Sequence, residues 1–247
     1  MSFSPHLKIG VIIQARMGAT RLPGKPLLKV KEKTLLEHLV LRLKQVKHPL
    51  TLIIATTQND RDKSILELAK NLHISSYAGS EEDVLDRYLK TARHYDLDVI
   101  IRVTADCPLL DPALIDEAIS RFLAPYPEID YFSNTIERTY PRGMDFEVFK
   151  RRTLEEAYID AFFDEEREHV TPFIYRHPER FKLAQLLNPT DESQHRWTVD
   201  TAEDFELIKR LIESFQDDSY RLQDLLDVIQ KNPDWSLLNQ NVKQKTL

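Results

Sequence analysis

A chain of 247 residues suffices for one large domain, and 42% hydrophobic with 30% charged residues is the balance of a globular protein, not a disordered one. A formal net charge of −6 argues against general affinity for nucleic acid, and the single cysteine, Cys107, excludes an internal disulfide and a Cys-rich zinc site. Residues 2–6 do not read as a signal peptide and no apolar run reaches membrane-spanning length, so the expectation is a cytoplasmic protein that works without a membrane.

In chain order, the apolar run 7–13 is predicted as the first strand and 35–46 as an amphipathic helix. A second strand over 50–55, a helix over 65–72, a short strand over 74–77 and a helix over 84–95 follow. The very apolar 99–103 is the next strand, then a helix over 114–123 and a strand beginning at Tyr131-Phe132. This alternation predicts an α/β fold, a mostly parallel sheet covered by helices on both faces.

After about residue 134 the rhythm changes. Residues 145–149 alternate like a half-exposed strand, and Thr153 with Glu156 reads as a capping box opening a helix. One helix is predicted over 165–176, ended by His177-Pro178, with 181–187 extended. Thr201 opens a helix over 203–215, 221–229 is the last amphipathic segment, and 239–247 reads as a frayed polar tail. With no repeat or linker, residues 1–247 are expected to form a single domain.

The first strand stops abruptly in a loop that carries Arg16, Arg21 and Lys25, with Gly18 and Gly24 between them. A buried strand feeding a cationic, glycine-punctuated loop is suited to hold an anion beyond the carboxyl edge of a sheet. Guanidinium forks match phosphate oxygens, and a lysine is a mobile point charge for a leaving group. Lys25 is followed by Pro26, not by Ser or Thr, and no dinucleotide fingerprint follows the strand. P-loop NTPases and Rossmann dehydrogenases are therefore poor fits.

The run Ala15-Arg16-x-x-x-Thr20-Arg21-Leu22-Pro23-Gly24-Lys25-Pro26-Leu27 resembles the nucleotide-binding signature of sugar nucleotidyltransferases, especially the cytidylyltransferases that activate KDO and sialic-acid-like sugars. Gly79-Ser80-Glu81-Glu82-Asp83-Val84-Leu85-Asp86-Arg87-Tyr88 and Trp197-Thr198-Val199-Asp200-Thr201-Ala202-Glu203-Asp204 make the whole similar to the SpsF-type branch of spore coat polysaccharide biosynthesis proteins, over roughly residues 8–213. The resemblance implies a GT-A-like nucleotide-diphospho-sugar transferase fold. It divides the domain into a nucleotide-binding half to about 133, a small mixed sugar-binding and possible dimerisation segment over about 134–200, and C-terminal helices over 201–247. It also implies CTP and a sugar as substrates, Mg²⁺ as cofactor and a homodimer.

Asp106 follows the 99–103 strand directly, in Thr104-Ala105-Asp106-Cys107-Pro108, and so faces the crevice of the cationic loop. It is a candidate Mg²⁺ ligand, supported by a matching aspartate in the family, or a turn-forming residue before Pro108. Asp200 is the second candidate ligand, with the alternative that it or Thr201 caps the next helix. Gln14, Ala15 and Ser80 are candidates for touching base or ribose, although Ser80 and Asp83 also read as a plain helix start. For the sugar, the candidates are Asn134, Arg142, Asp145, Glu147, His169, Arg196 and Trp197. Asp145 and Glu147 would share a strand face and bind hydroxyls, and Arg142 or Arg196 would meet an acidic sugar's carboxylate; a solvated face with local salt bridges is the alternative.

The expected reaction is transfer of CMP from CTP to a sugar, a 2-keto sugar acid in the family's pattern, with release of pyrophosphate for surface polysaccharide. Arg16, Arg21 and Lys25 would serve the triphosphate, and Arg16, Lys25, Asp106 and Asp200 would carry catalysis. A sugar-1-phosphate nucleotidyltransferase and a GT-A glycosyltransferase are the enzymatic alternatives, the latter disfavoured because Asp106-Cys107-Pro108 lacks a second acid. A nucleotide-binding scaffold without turnover is the non-enzymatic one.

Overall fold

In the computed structural model, which describes residues 7–244, strand β1 (Ile9–Gln14) lies inside a seven-stranded sheet. It is flanked in parallel by β4 (Thr51–Thr57) and β6 (Val99–Thr104), and β5 (Ser75–Gly79) extends the sheet beyond β4. Alternate residues of β1 enter different layers. Ile9, Val11 and Ile13 pack into a core with α1 (Leu35–Leu43), α2 (Lys63–Asn71) and α4 (Pro112–Leu123). Ile12 packs on the opposite face with α3 (Val84–His94). A strand buried on both faces needs apolar residues at every position, which accounts for the unbroken run at 9–13. A two-stranded ribbon, β2 (Lys29–Val30) with β3 (Lys33–Thr34), leads into α1, where Thr34 and Glu37 form a reciprocal capping box.

Beyond β6 one strand reverses. β8 (Glu147–Lys150) runs antiparallel between β6 and β7 (Tyr131–Ser133), and β9 (Leu183–Gln185) closes the edge parallel to β7. β8 is not half-exposed: Val148 packs into the first core and Phe149 into the second, against α5 (Arg151–Asp160) and α7 (Pro172–Tyr175). Because β8 runs straight into α5 at Arg151, Thr153 falls inside the first turn and is buried, and no capping box forms there. The helix expected over 165–176 is two, α6 (Asp164–His169) and α7. Between them Val170 turns to φ 75° with its side chain buried, and Pro172 starts the second helix.

Helices α8 (Ala202–Glu213) and α9 (Leu222–Lys231) return to the first core. The following segment does not fray over its described part: Asn239 is buried, and Lys243 and Gln244 accept hydrogen bonds from Arg21 and Arg196. Residues 245–247 of the predicted tail lie outside the described residues. Among the described residues, no helix is long and apolar enough to cross a membrane.

Candidate active site

The loop after β1 is shaped by three backbone constraints. The Met17 amide donates to Asp62 Oδ1 at 2.7 Å, and Asp62, buried, also takes the Thr57 hydroxyl. The Gly24 amide closes the loop on the Met17 carbonyl at 2.9 Å, and Gly24 sits at φ 73°, a left-handed conformation that costs glycine little. Lys25 then opens a short 3₁₀ turn, Lys25–Leu27, with Pro26 inside it. The loop, the carboxyl ends of β1 and β6, and the start of α3 enclose a cleft of about 280 Å³.

Lys25 joins the two sides of this cleft. Its ammonium donates to Asp106 Oδ2 at 3.0 Å, Asp200 Oδ1 at 2.8 Å and the Val199 carbonyl at 2.8 Å. Two carboxylates almost a hundred residues apart in sequence thus converge on one cation. Burial alone would lower the Lys25 pKa, but the two carboxylates outweigh it and the net shift is upward. Burial would likewise raise Asp106, yet Lys25 and the Thr104 and Cys107 donors hold it below the ordinary carboxylate value. Both groups are therefore charged at neutral pH.

Asp200 is gripped from behind. Its Oδ2 receives Arg21 at 2.9 Å and Arg196 at 3.0 Å, and Arg196 in turn forks onto Asp204 at 2.8 and 2.9 Å. Asp204 is fully buried and also takes the amides of Asp200 and Thr201, while Thr201 caps α8. The capping role and the cleft-facing role thus fall on adjacent residues. Arg16 is looser: among the described residues its carboxylate neighbours are Glu81 at 3.9 Å and Glu168 at 3.8 Å.

Of the residues singled out from sequence, Gln14, Ala15, Arg16, Arg21, Lys25, Asp106, His169 and Asp200 line this one cleft. Gly18 lies in the loop but not on the cleft wall, with the Arg61 guanidinium beside it. Ser80 is off the wall as well: its hydroxyl accepts the Asp83 amide at 3.0 Å, and Asp83, not Ser80, caps α3.

Most of the expected sugar residues are committed elsewhere. Asn134 is buried, and its amide bridges the Met144 carbonyl and the Phe146 amide. Asp145 precedes β8 and is forked by Arg138 at 2.6 and 2.9 Å. Glu147 lies within β8 and holds Arg102, Thr171 and the Tyr131 hydroxyl. The two acids therefore form no shared hydroxyl-binding pair. Trp197 is fully buried in the first core, and Arg196 is occupied by Asp200 and Asp204. Arg142 lines a separate cavity of about 300 Å³ with Gln194 and Asn239. There Gly143, at φ 106°, lets the chain pass so close to Trp197 that a Cβ would meet the Trp197 carbonyl oxygen at 2.4 Å.

The wall also includes Arg102, Thr104 and Glu168, to which the sequence reading gave no role in the site. Arg102 and Thr104 share one face of β6, and Asp106 follows in the turn just beyond the strand's end. Glu168 adjoins His169 in sequence. His169 is half-buried, and burial lowers its pKa, with Arg102 adding to the effect and Glu168 opposing it.

The sequence profile of the Cytidylyltransferase family matches residues 10–243. The Bacillus subtilis spore coat polysaccharide biosynthesis protein SpsF is 35% identical over 231 residues, 90% of this chain and 94% of that protein. A 3-deoxy-manno-octulosonate cytidylyltransferase of Geobacter metallireducens is 32% identical over 118 residues, 48% of this chain and 46% of its own. The solved structure of a cytidylyltransferase from Leptospira borgpetersenii is 37% identical, superposes with a TM-score of 0.89, and covers 98% of this chain and 100% of that one. With the profile match spanning nearly the whole fold and the cleft, the chain belongs to the cytidylyltransferase family.

Proposed function

We propose that the cleft binds CTP with Mg²⁺ and transfers CMP to a sugar acid, releasing pyrophosphate, in the making of a surface polysaccharide. The observation that carries this reading is the convergence of Asp106 and Asp200 on the Lys25 ammonium, beside a loop with two further arginines. Two carboxylate oxygens meeting at one cationic point, open to phosphate oxygens, form the donor set that Mg²⁺ takes, so the residues present fit the ion. When bound there, Mg²⁺ would neutralise phosphate charge and acidify the attacking hydroxyl. The sugar-acid substrate and the pathway are supported by the names of the Geobacter and Bacillus relatives.

In this reading Arg16 and Arg21 hold the triphosphate, and Lys25 moves from the carboxylates to the phosphates as the nucleotide arrives. Gln14 and Ala15 face the ribose or base, and His169 and Arg102 face the sugar. The sugar oxygen forms its bond to the α-phosphorus as the bond to pyrophosphate breaks, and the hydroxyl proton passes to water. Most of the rate gain then comes from positioning and fixed charge. The test is a pyrophosphate-release assay with CTP, Mg²⁺ and a panel containing 3-deoxy-manno-octulosonate, N-acetylneuraminate and sugar 1-phosphates, read against the other three nucleoside triphosphates. CTP-dependent release with an acid is expected; release only with a sugar 1-phosphate, or with none, overturns the reading.

A further inference from the structure

Asp200 owes its orientation to a buried cluster that includes the C-terminal segment. Its Oδ1 points to Lys25 because Oδ2 is held by Arg196 and Arg21. Arg196 is fixed by Asp204, and Asp204 takes a 2.8 Å hydrogen bond from the Asn239 side-chain amide. The same amide donates to the Arg196 carbonyl at 2.9 Å, so Asn239 pins both the side-chain partner and the backbone of Arg196. Asn239 is buried and Asp204 has no exposed surface. Helix capping accounts for only half of this: Asp204 Oδ2 accepts the Thr201 amide in the reciprocal capping box of α8, whereas Oδ1 is turned to Arg196 and Asn239, and Asn239 lies well beyond α9.

We propose that Asp204 and Asn239 are positioning residues for Asp200, which makes the segment after α9 a working part of the catalytic site. The inference rests on the reading that Asp200 serves nucleotidyl transfer. A carboxylate that must share a cation with a distant partner tolerates only a small displacement, and it keeps its place only if its own supports cannot rotate. Arg196 supplies that support, and Asn239 occupies the donor position that keeps Arg196 and Asp204 in register. Losing the Asn239 amide leaves Asp204 Oδ1 with Arg196 Nε alone and removes the donor from the Arg196 carbonyl.

The test uses the full chain with Asn239→Leu, which keeps the branched shape and removes the donor, together with Asn239→Gln and Asn239→Ala. Three quantities are read: thermal midpoint, kcat and KM for CTP, and Mn²⁺ affinity of the CTP complex by electron paramagnetic resonance. Removal of such an outer support is expected to lower kcat and Mn²⁺ affinity by about 10- to 100-fold, with the KM for CTP largely kept and partial rescue in Asn239→Gln. A lower thermal midpoint with unchanged kcat and Mn²⁺ affinity, in Leu and Ala variants alike, overturns the inference. Asp200→Asn separates the two claims. If it is inactive while Asn239→Leu behaves as wild type, only the positioning role falls; if Asp200→Asn turns over normally, the reading falls and takes the inference with it.

Discussion

Asp200 and Arg16 line the same cleft, but their surroundings differ in stiffness. Asp200 receives Lys25, Arg21 and Arg196 at 2.8 to 3.0 Å, and its backbone amide is held by buried Asp204. Arg16 meets its nearest carboxylates only at 3.8 and 3.9 Å, with about a third of its side chain exposed. Fixed charges suit a group whose geometry must be ready before the substrate arrives, since no reorganisation is then needed during reaction. An exposed guanidinium on a loop suits phosphates that must enter and, as pyrophosphate, leave. Under the proposed function, this difference gives catalysis to the rigid carboxylate side and phosphate capture to Arg16.

Substitutions on the rigid side should therefore cost the most. Asp106→Asn keeps the shape but removes one of the two charges, and kcat is expected to fall by about 10³-fold with the fold intact. Circular dichroism with a pyrophosphate assay checks this; near-normal turnover would take Asp106 out of the chemistry. Lys25→Met should lower kcat by roughly 10²- to 10³-fold for want of a charge on the leaving group. It should also have an opposite effect in the absence of nucleotide. With the ammonium gone, Asp106 and Asp200 Oδ1 lose the cation they share, while Arg21 and Arg196 stay on Asp200 Oδ2, so Mn²⁺ should bind the free protein more tightly than it binds wild type. Equal Mn²⁺ affinity for both would show that Lys25 does not hold the metal's place.

On the loose side the expected effect is smaller and differently distributed. Arg16→Ala should raise the KM for CTP by about tenfold, the loss of one charged hydrogen bond, while kcat changes little. The wild-type KM should rise with salt and the variant's should rise less, because an exposed charge is screened. A fall in kcat with constant KM would move Arg16 to the rigid side and erase the distinction.

The same contrast explains what the sequence revealed. The first half was legible because its signals are local: apolar runs at 9–13 and 99–103 became β1 and β6, and the amphipathic stretch from residue 35 became α1. The cleft-facing loop was legible for the same reason, as glycine, proline and cations lie within one short stretch. In the second half each polar residue finds its partner far away or in an element with an unexpected start. Glu147 reads as a hydroxyl ligand until Tyr131 and Thr171 are seen to occupy it, and Arg196 as a carboxylate reader until Asp204 is found eight residues on. Asn239 gives no local sign at all, because its partners come from residues 35 and 43 positions earlier.

His169 offers the finest test, since it lies on the cleft wall beside Glu168 and belongs to neither arm. Burial depresses its pKa below the ordinary 6.5, so the folded protein binds that proton less readily than the unfolded chain. Where the unfolded state carries more protons, stability rises with pH. The contribution of His169 is therefore complete above 6.5 and is lost as the pH falls from there through the folded-state value. His169→Gln removes this one titration and leaves every other acid-sensitive pair in place. Between about pH 8 and about pH 5 its thermal midpoint should fall by less than that of wild type. Parallel curves would mean that the imidazole is as well solvated folded as unfolded, and the cleft wall around α6 would then be open to water in solution.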